Sequence, residues 1–147
     1  MNPDFKDLLV EFNAHRVEFL VVGAHALAAH GYVRATKDLD LWVRPTPENA
    51  KRTLAALASF GAALHDLTEE DLSTPGVIFQ MGVQPIRIDV ITAIDGVEFD
   101  EAWADRMETN FAGIPAGVLS RDHLIQNKQA AGRPQDLVDV EWLRAHK

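Results

Sequence analysis

Three aspartates carry the chemistry that this sequence first suggests. Asp38 and Asp40 lie in the run Lys37-Asp38-Leu39-Asp40-Leu41-Trp42-Val43, and Asp89 lies in a second apolar run, Ile86-Arg87-Ile88-Asp89-Val90-Ile91. Side chains alternate along a strand, so Asp38 and Asp40 project from one face while Leu39 and Leu41 project from the other and can be buried. Adjacent carboxylates repel each other, and a divalent cation between them relieves the repulsion because hard cations take oxygen ligands. An Asp-x-Asp alone also describes a solvated strand face with no task, since so short a motif has little specificity. Asp89 has two readings as well. It shares its face with Arg87 and Ile91, and an unpaired carboxylate there is costly. Its partner is therefore either Arg87, or another basic residue, or a cation shared with Asp38 and Asp40.

The elements that must position these groups follow from the punctuation. Phe5, Leu8, Leu9 and Phe12 recur at helical spacing over Pro3 to Asn13, which predicts an amphipathic helix. Glu18 to Val22 reads as a strand buried on both faces, ended by Gly23. Ala24 to His30 reads as a short helix stopped by Gly31, and Asp38 to Val43 as the strand bearing the first two carboxylates. Thr46 caps a helix with Pro47 at its first position, running to Gly61. His65 to Ser73 reads as an acidic loop with one helical turn. Val77 to Met81 and Ile86 to Thr92 form an antiparallel hairpin through Gly82-Val83-Gln84-Pro85. Phe99 to Met107 reads as a short helix with Phe99, Trp103 and Met107 in the core. Thr109 to Val118 holds one or two short strands. Ser120 caps a helix stopped by Gly132, and a last helix opens at Arg133-Pro134-Gln135-Asp136 and ends near His146.

The order Gly23-Ala24, then Asp38-Leu39-Asp40, then Asp89 resembles the nucleotidyltransferase superfamily related to DNA polymerase β. Its pattern is a hydrophobic strand, Gly-Gly or Gly-Ser, a short helix, Asp-hydrophobic-Asp, and a distant single Asp on another strand. More narrowly, the stretch from Gly23 to Val43 resembles AbiEii-type toxins and the minimal nucleotidyltransferases of bacterial toxin–antitoxin pairs. The segment Lys128-Gln129-Ala130-Ala131-Gly132-Arg133-Pro134-Gln135-Asp136-Leu137 is similar to the tail of those proteins. The resemblance covers about residues 17 to 143. It implies a single α+β domain, a nucleotidyltransferase-like mixed β-sheet flanked by helices, with C-terminal helices over 120–146.

The same resemblance implies Mg²⁺, or Mn²⁺, at Asp38, Asp40 and Asp89, with Asp89 either a ligand to a second ion or the base for the attacking hydroxyl, and ATP or another NTP as donor. The acceptor would be a protein or RNA hydroxyl. A role in a toxin–antitoxin or phage-defence system, with a cognate toxin or antitoxin as partner, is implied in the same way. Gly23, Ala24 and His25 would cradle phosphates, with Arg34 and Lys37 balancing their charge. The sequence departs from the pattern at Ala24, which lacks the hydroxyl of the family's serine but keeps the backbone donors. His25 is a phosphate contact or a packed residue of a small alanine-rich helix. Thr36 reads as a brace for its own loop. Lys128, Arg133 and Asp136 support the cleft or anchor helix to helix. Two other functions fit the sequence: a non-catalytic protein of this fold acting as a partner-binding antitoxin, and a metal-dependent phosphohydrolase using the same carboxylates.

Composition narrows the classes. The 147 residues can bury one core, and 47% apolar with 24% charged residues describes an ordinary globular chain. The absence of cysteine excludes disulfides and thiolate metal sites. A net charge of −8 argues against broad DNA binding, which rests on lysine and arginine neutralising phosphates. The acidic, amphipathic start is unlike a signal peptide, and no apolar run approaches the roughly 20 residues of a membrane span. A cytoplasmic location is the expectation.

Overall fold

The structure is a computed structural model, and it describes residues 1–82 and 86–146. Helix α1 (Pro3–Ala14) buries Phe5, Leu8, Leu9 and Phe12, the apolar stripe read from the sequence. Strand β1 (Phe19–Val22) is buried throughout and passes directly into α2 (Gly23–Ala29). Strand β2 (Asp38–Val43) follows, then α3 (Pro47–Phe60), α4 (Glu69–Leu72), β3 (Ile78–Met81) and β4 (Arg87–Ile91). The chain continues through α5 (Phe99–Ala104), β5 (Met107–Phe111), β6 (Ile114–Val118), α6 (Arg121–Ala131) and α7 (Pro134–Ala145).

The six strands form one mixed sheet in the order β3-β4-β2-β1-β6-β5. β1 runs antiparallel to β2, and β2 runs parallel to β4. β3 pairs antiparallel with β4, as expected of the hairpin, although Val83, Gln84 and Pro85 of its connection lie outside the described residues. The fold is thus the α+β arrangement of a mixed sheet flanked by helices. Along β2, Leu39 and Leu41 are fully buried while Asp38 and Asp40 share the other face. That face is closed farther along by Trp42, which meets Phe99 of α5 edge-on at 4.9 Å.

The caps read from the sequence are in place. Thr46 Oγ1 accepts from the Asn49 backbone, Ser120 Oγ accepts from the His123 backbone, and Gly61 and Gly132 take left-handed conformations after α3 and α6. One expectation is corrected. The helix around Phe99 ends at Ala104, and Met107 opens β5 rather than sitting on a third helical turn. Apolar residues at i, i+4 and i+8 fit a helix, yet strand pairing from Met107 to Val118 overrides that periodicity.

One buried side chain holds the strands that carry the site. Asn49 donates to the backbone oxygens of Glu18 and Arg44, each at 3.0 Å, and accepts from the Glu18 N–H at 2.7 Å. It thereby joins the residue before β1 to the residue after β2. Asn49→Ala removes three hydrogen bonds and leaves the part-buried Glu18 N–H without its partner, while the Glu18 oxygen keeps the Arg44 N–H at 3.1 Å. Chemical denaturation is expected to show a loss of about 2–4 kcal/mol.

Candidate active site

Parallel pairing of β2 with β4 places Asp38 opposite Arg87 and Asp40 opposite Asp89. The three aspartates singled out by the sequence therefore stand together on one sheet face. Val22, the last residue of β1, lies opposite Asp40, so the turn into α2 begins beside that carboxylate. The close approach explains the glycine there. A Cβ on residue 23 would collide with Asp40 Oδ2, and Gly23 has φ of +70°, a region that side chains rarely adopt.

Asp40 and Asp89 border a cleft of about 490 Å³, lined on the sheet side also by Val22, Gly23 and Ile91, while Asp38 stands outside its lining. Its other wall comes from the C-terminal helices, with Asn127, Lys128, Arg133 and Asp136. Lys128 is nearly buried, and its Nζ lies 3.4 Å from Asp136 Oδ1 and 3.3 Å from Asp139 Oδ2. Burial pushes Asp136 toward the neutral form, but hydrogen bonds from the Arg133 side chain and backbone outweigh it and hold the carboxyl below its ordinary range. Asp139, fully buried, also binds Arg34 Nη1 at 3.0 Å and accepts from Gln135. Opposite charges in this chain of contacts satisfy one another.

On the sheet side the balance is different. Burial, then the charges of Asp89 and Asp38, raise Asp40 to about 6; Arg87 and Lys128 offset this only in part. Asp89 is also raised, chiefly by burial, against the opposing pull of Arg87. Arg87 Nε approaches Asp89 Oδ1 to 3.1 Å, and its Nη2 reaches Asp38 Oδ2 at 3.4 Å. Both Arg87 Nε and Asp89 Oδ1 are buried, and among the described residues neither has a well-directed hydrogen bond.

The residues fit a hard divalent cation in donor chemistry: oxygen ligands only, with excess negative charge and an orphaned buried carboxylate oxygen among them. They are not yet closed around one. Among the described residues, no three His, Cys, Asp or Glu side chains form a ready ion-holding group, and the guanidinium of Arg87 lies against two of the three carboxylates.

The residues expected to hold phosphate are placed unequally. Gly23 lines the cleft; Ala24, next to it, does not. His25 packs edge-on against Phe5 at 5.7 Å and Phe111 at 6.3 Å, away from the cleft lining. Burial and the nearby N-terminal charge lower its pKa, which favours the neutral ring. Of its two readings, the packed one describes its surroundings. Arg34 is committed to Asp139 and stacks over Tyr32, so it braces α7 rather than facing the cleft. Lys37 is exposed beside Asp38, and its backbone oxygen accepts from Arg87. Thr36 Oγ1 bonds the Asp38 backbone, the brace read from the sequence. Asp139 was missed, although Asp136 and Asp139 stand three apart on one helix face, a spacing that pairs them on a common cation.

A carboxylate cluster at the end of a strand–turn–helix unit, on a mixed sheet, is the arrangement expected from the resemblance to nucleotidyltransferases. The chain is similar to the solved structure of the lincosamide antibiotic adenylyltransferase LnuA, lincomycin-bound, with 12% identity, coverage of 100% of this chain and 98% of that one, and a TM-score of 0.61. It is similar to a putative nucleotidyltransferase, TM1012, from Thermotoga maritima (14% identity, 96% and 88% covered, TM-score 0.62) and to the antibiotic-resistance factor ANT(2'')-Ia (18%, 97% and 88%, 0.60). No curated protein matches it in sequence. Residues 2–145 match the family described as nucleotidyl transferase of unknown function (DUF2204), and the chain belongs to that family. It is a nucleotidyltransferase by family and by fold.

Two measurements test this geometry. Gly23→Ala is expected to cost about 1–3 kcal/mol in unfolding free energy, since it adds strain and a clash with Asp40. For Asp40 the folded-state pKa lies above the unfolded value, so its ionisation costs stability as pH rises through about 6. Without metal, Asp40→Asn is therefore expected to be more stable than wild type by roughly 1–3 kcal/mol at pH 7.5, with the gain vanishing near pH 4. Denaturant titrations at the two pH values read this directly.

Proposed function

We propose that the protein transfers a nucleoside monophosphate from ATP or another NTP to an acceptor hydroxyl. The observation that carries this reading is that Asp40 and Asp89, with Asp38 next to them on the same sheet face, stand beside Gly23 and face Lys128 and Arg133 across a cleft of ligand size. Asp38, Asp40 and Asp89 would hold Mg²⁺ or Mn²⁺, which supplies charge neutralisation for the triphosphate when bound. Lys128, held by Asp136 and Asp139, and the exposed Arg133 offer cations to the phosphates from the opposite wall. Asp89 has two roles open to it: it ligates a second ion, or, with its affinity for a proton raised by burial, it takes the proton of the attacking hydroxyl. The oxygen attacks the α-phosphorus, the bond to the β-phosphate oxygen breaks, and pyrophosphate leaves.

The acceptor is part of the same proposal. The resemblance in the 128–137 tail favours a protein or RNA hydroxyl within a toxin–antitoxin pair; the fold shared with antibiotic adenylyltransferases adds a small-molecule hydroxyl to the candidates. A second reading, a non-catalytic partner-binding antitoxin, is favoured by one observation: Arg87 already neutralises two of the three carboxylates.

Thermal melting with Mg²⁺ and each of the four NTPs separates the readings. A catalyst is expected to gain about 5–10 °C with its nucleotide at one-hundredfold over Kd, with the gain lost in the Asp38→Asn/Asp40→Asn double variant. Pyrophosphate release on adding candidate acceptors then identifies the hydroxyl, and free phosphate instead would mark a hydrolase. No shift at millimolar nucleotide would favour the antitoxin, and co-purification would seek its partner.

A further inference from the structure

We infer that Arg87 is an exchangeable counter-ion: it occupies the carboxylate site in the empty protein and must be displaced for a divalent cation to bind. The inference rests on the metal-assisted reading above and adds a regulation to it.

The placement leaves Arg87 little choice. It stands directly opposite Asp38 across the β2–β4 ladder and two positions before Asp89 on the same face of β4. One guanidinium therefore touches two of the three carboxylates, at 3.4 and 3.1 Å. A cation ligated by those same carboxylates would face a second positive charge at close range and compete with it for the same oxygens. The existing contact is divided between two partners, with Arg87 Nη2 donating to Asp38 Oδ2 at 3.4 Å. Arg87 Nε and Asp89 Oδ1 lie close together, but their alignment does not make a directed hydrogen bond. The Arg87 side chain is about one-third exposed, so it has a route to solvent.

Lys128 cannot play this part. Its Nζ lies between Asp136 and Asp139, whose side chains are almost wholly buried, and moving it would strand two carboxylates. Arg34 is tied to Asp139. Among these cations Arg87 is the one whose departure a metal would compensate. Bare metal thus competes with the protein's own charge, whereas metal arriving with phosphates brings anionic oxygens for the released guanidinium. Metal and nucleotide are then taken up together.

The test titrates Mn²⁺ alone, reading free ion by electron paramagnetic resonance, in wild type, Arg87→Gln and Arg87→Lys. Arg87→Gln is expected to bind Mn²⁺ about five- to tenfold more tightly than wild type. Arg87→Lys, a point charge unable to span both carboxylates, should fall between them. A residue that merely shapes the site would lose affinity on removal, so the direction of the change decides. Unfolding in EDTA confirms that the variants fold; if Arg87→Gln does not, Arg87→Lys carries the test. Equal or weaker Mn²⁺ binding in the folded Arg87 variants, with wild-type binding abolished by Asp38→Asn/Asp40→Asn, overturns the counter-ion role and leaves the metal site standing. No Mn²⁺ retained by any of the proteins overturns the metal reading and this inference with it.

Discussion

Asp40 and Asp89 face each other across a parallel ladder, with Asp38 one step away, and two like charges so placed must be answered by positive charge. Much of the surrounding arrangement follows. The sheet order sets β4 and β1 on either side of β2, which brings a glycine turn against one carboxylate and an arginine against the other two. Gly23 is required because Asp40 uses the space a side chain would fill. The raised proton affinity of Asp40 reflects its burial first and the charges of Asp89 and Asp38 second, which Arg87 and Lys128 offset only in part. Such a deficit is tolerable because Asn49 and the buried strands fix the backbone around it.

The opposite wall is built on the reverse principle. Lys128, Asp136, Asp139, Arg34 and Arg133 satisfy one another almost completely, and two of the carboxylates are buried. Removing one member would leave a charge in low dielectric, so the network fixes the position of α7 against α6 and of the Arg34 loop against both. One wall is thus electrostatically closed and rigid, and the other is open to a ligand. That asymmetry is what a binding cleft needs: a firm surface to orient a substrate, and an unsatisfied one to react with it.

The sequence disclosed whatever depends on neighbours in the chain. Alternation put Asp38 and Asp40 on one face, and Thr46, Ser120, Gly61 and Gly132 marked helix ends, because each acts within a few residues of itself. What it withheld depends on contacts distant in sequence. For Asp89 the choice between Arg87 and a cation had no local answer, and the structure shows the arginine spanning to Asp38 as well, 49 residues away. His25 reads equally as a phosphate contact or a packed ring until Phe5 and Phe111 are placed on it. Arg34 looks like a free cation until Asp139, 105 residues on, is docked beneath it. Met107 fits a helical register that only the β5–β6 hairpin overrules.

The split of the cleft between early and late parts of the chain has a consequence for synthesis. All three carboxylates and the glycine turn lie before residue 92, whereas Lys128, Arg133 and Asp136 belong to the last two helices. Domains emerge from the ribosome N-terminal part first. The strands that carry the acidic half-site are therefore made well before the opposite wall, and Arg87 is the cation that accompanies those carboxylates in the interval. The finished cleft is assembled only when α6 and α7 close over it.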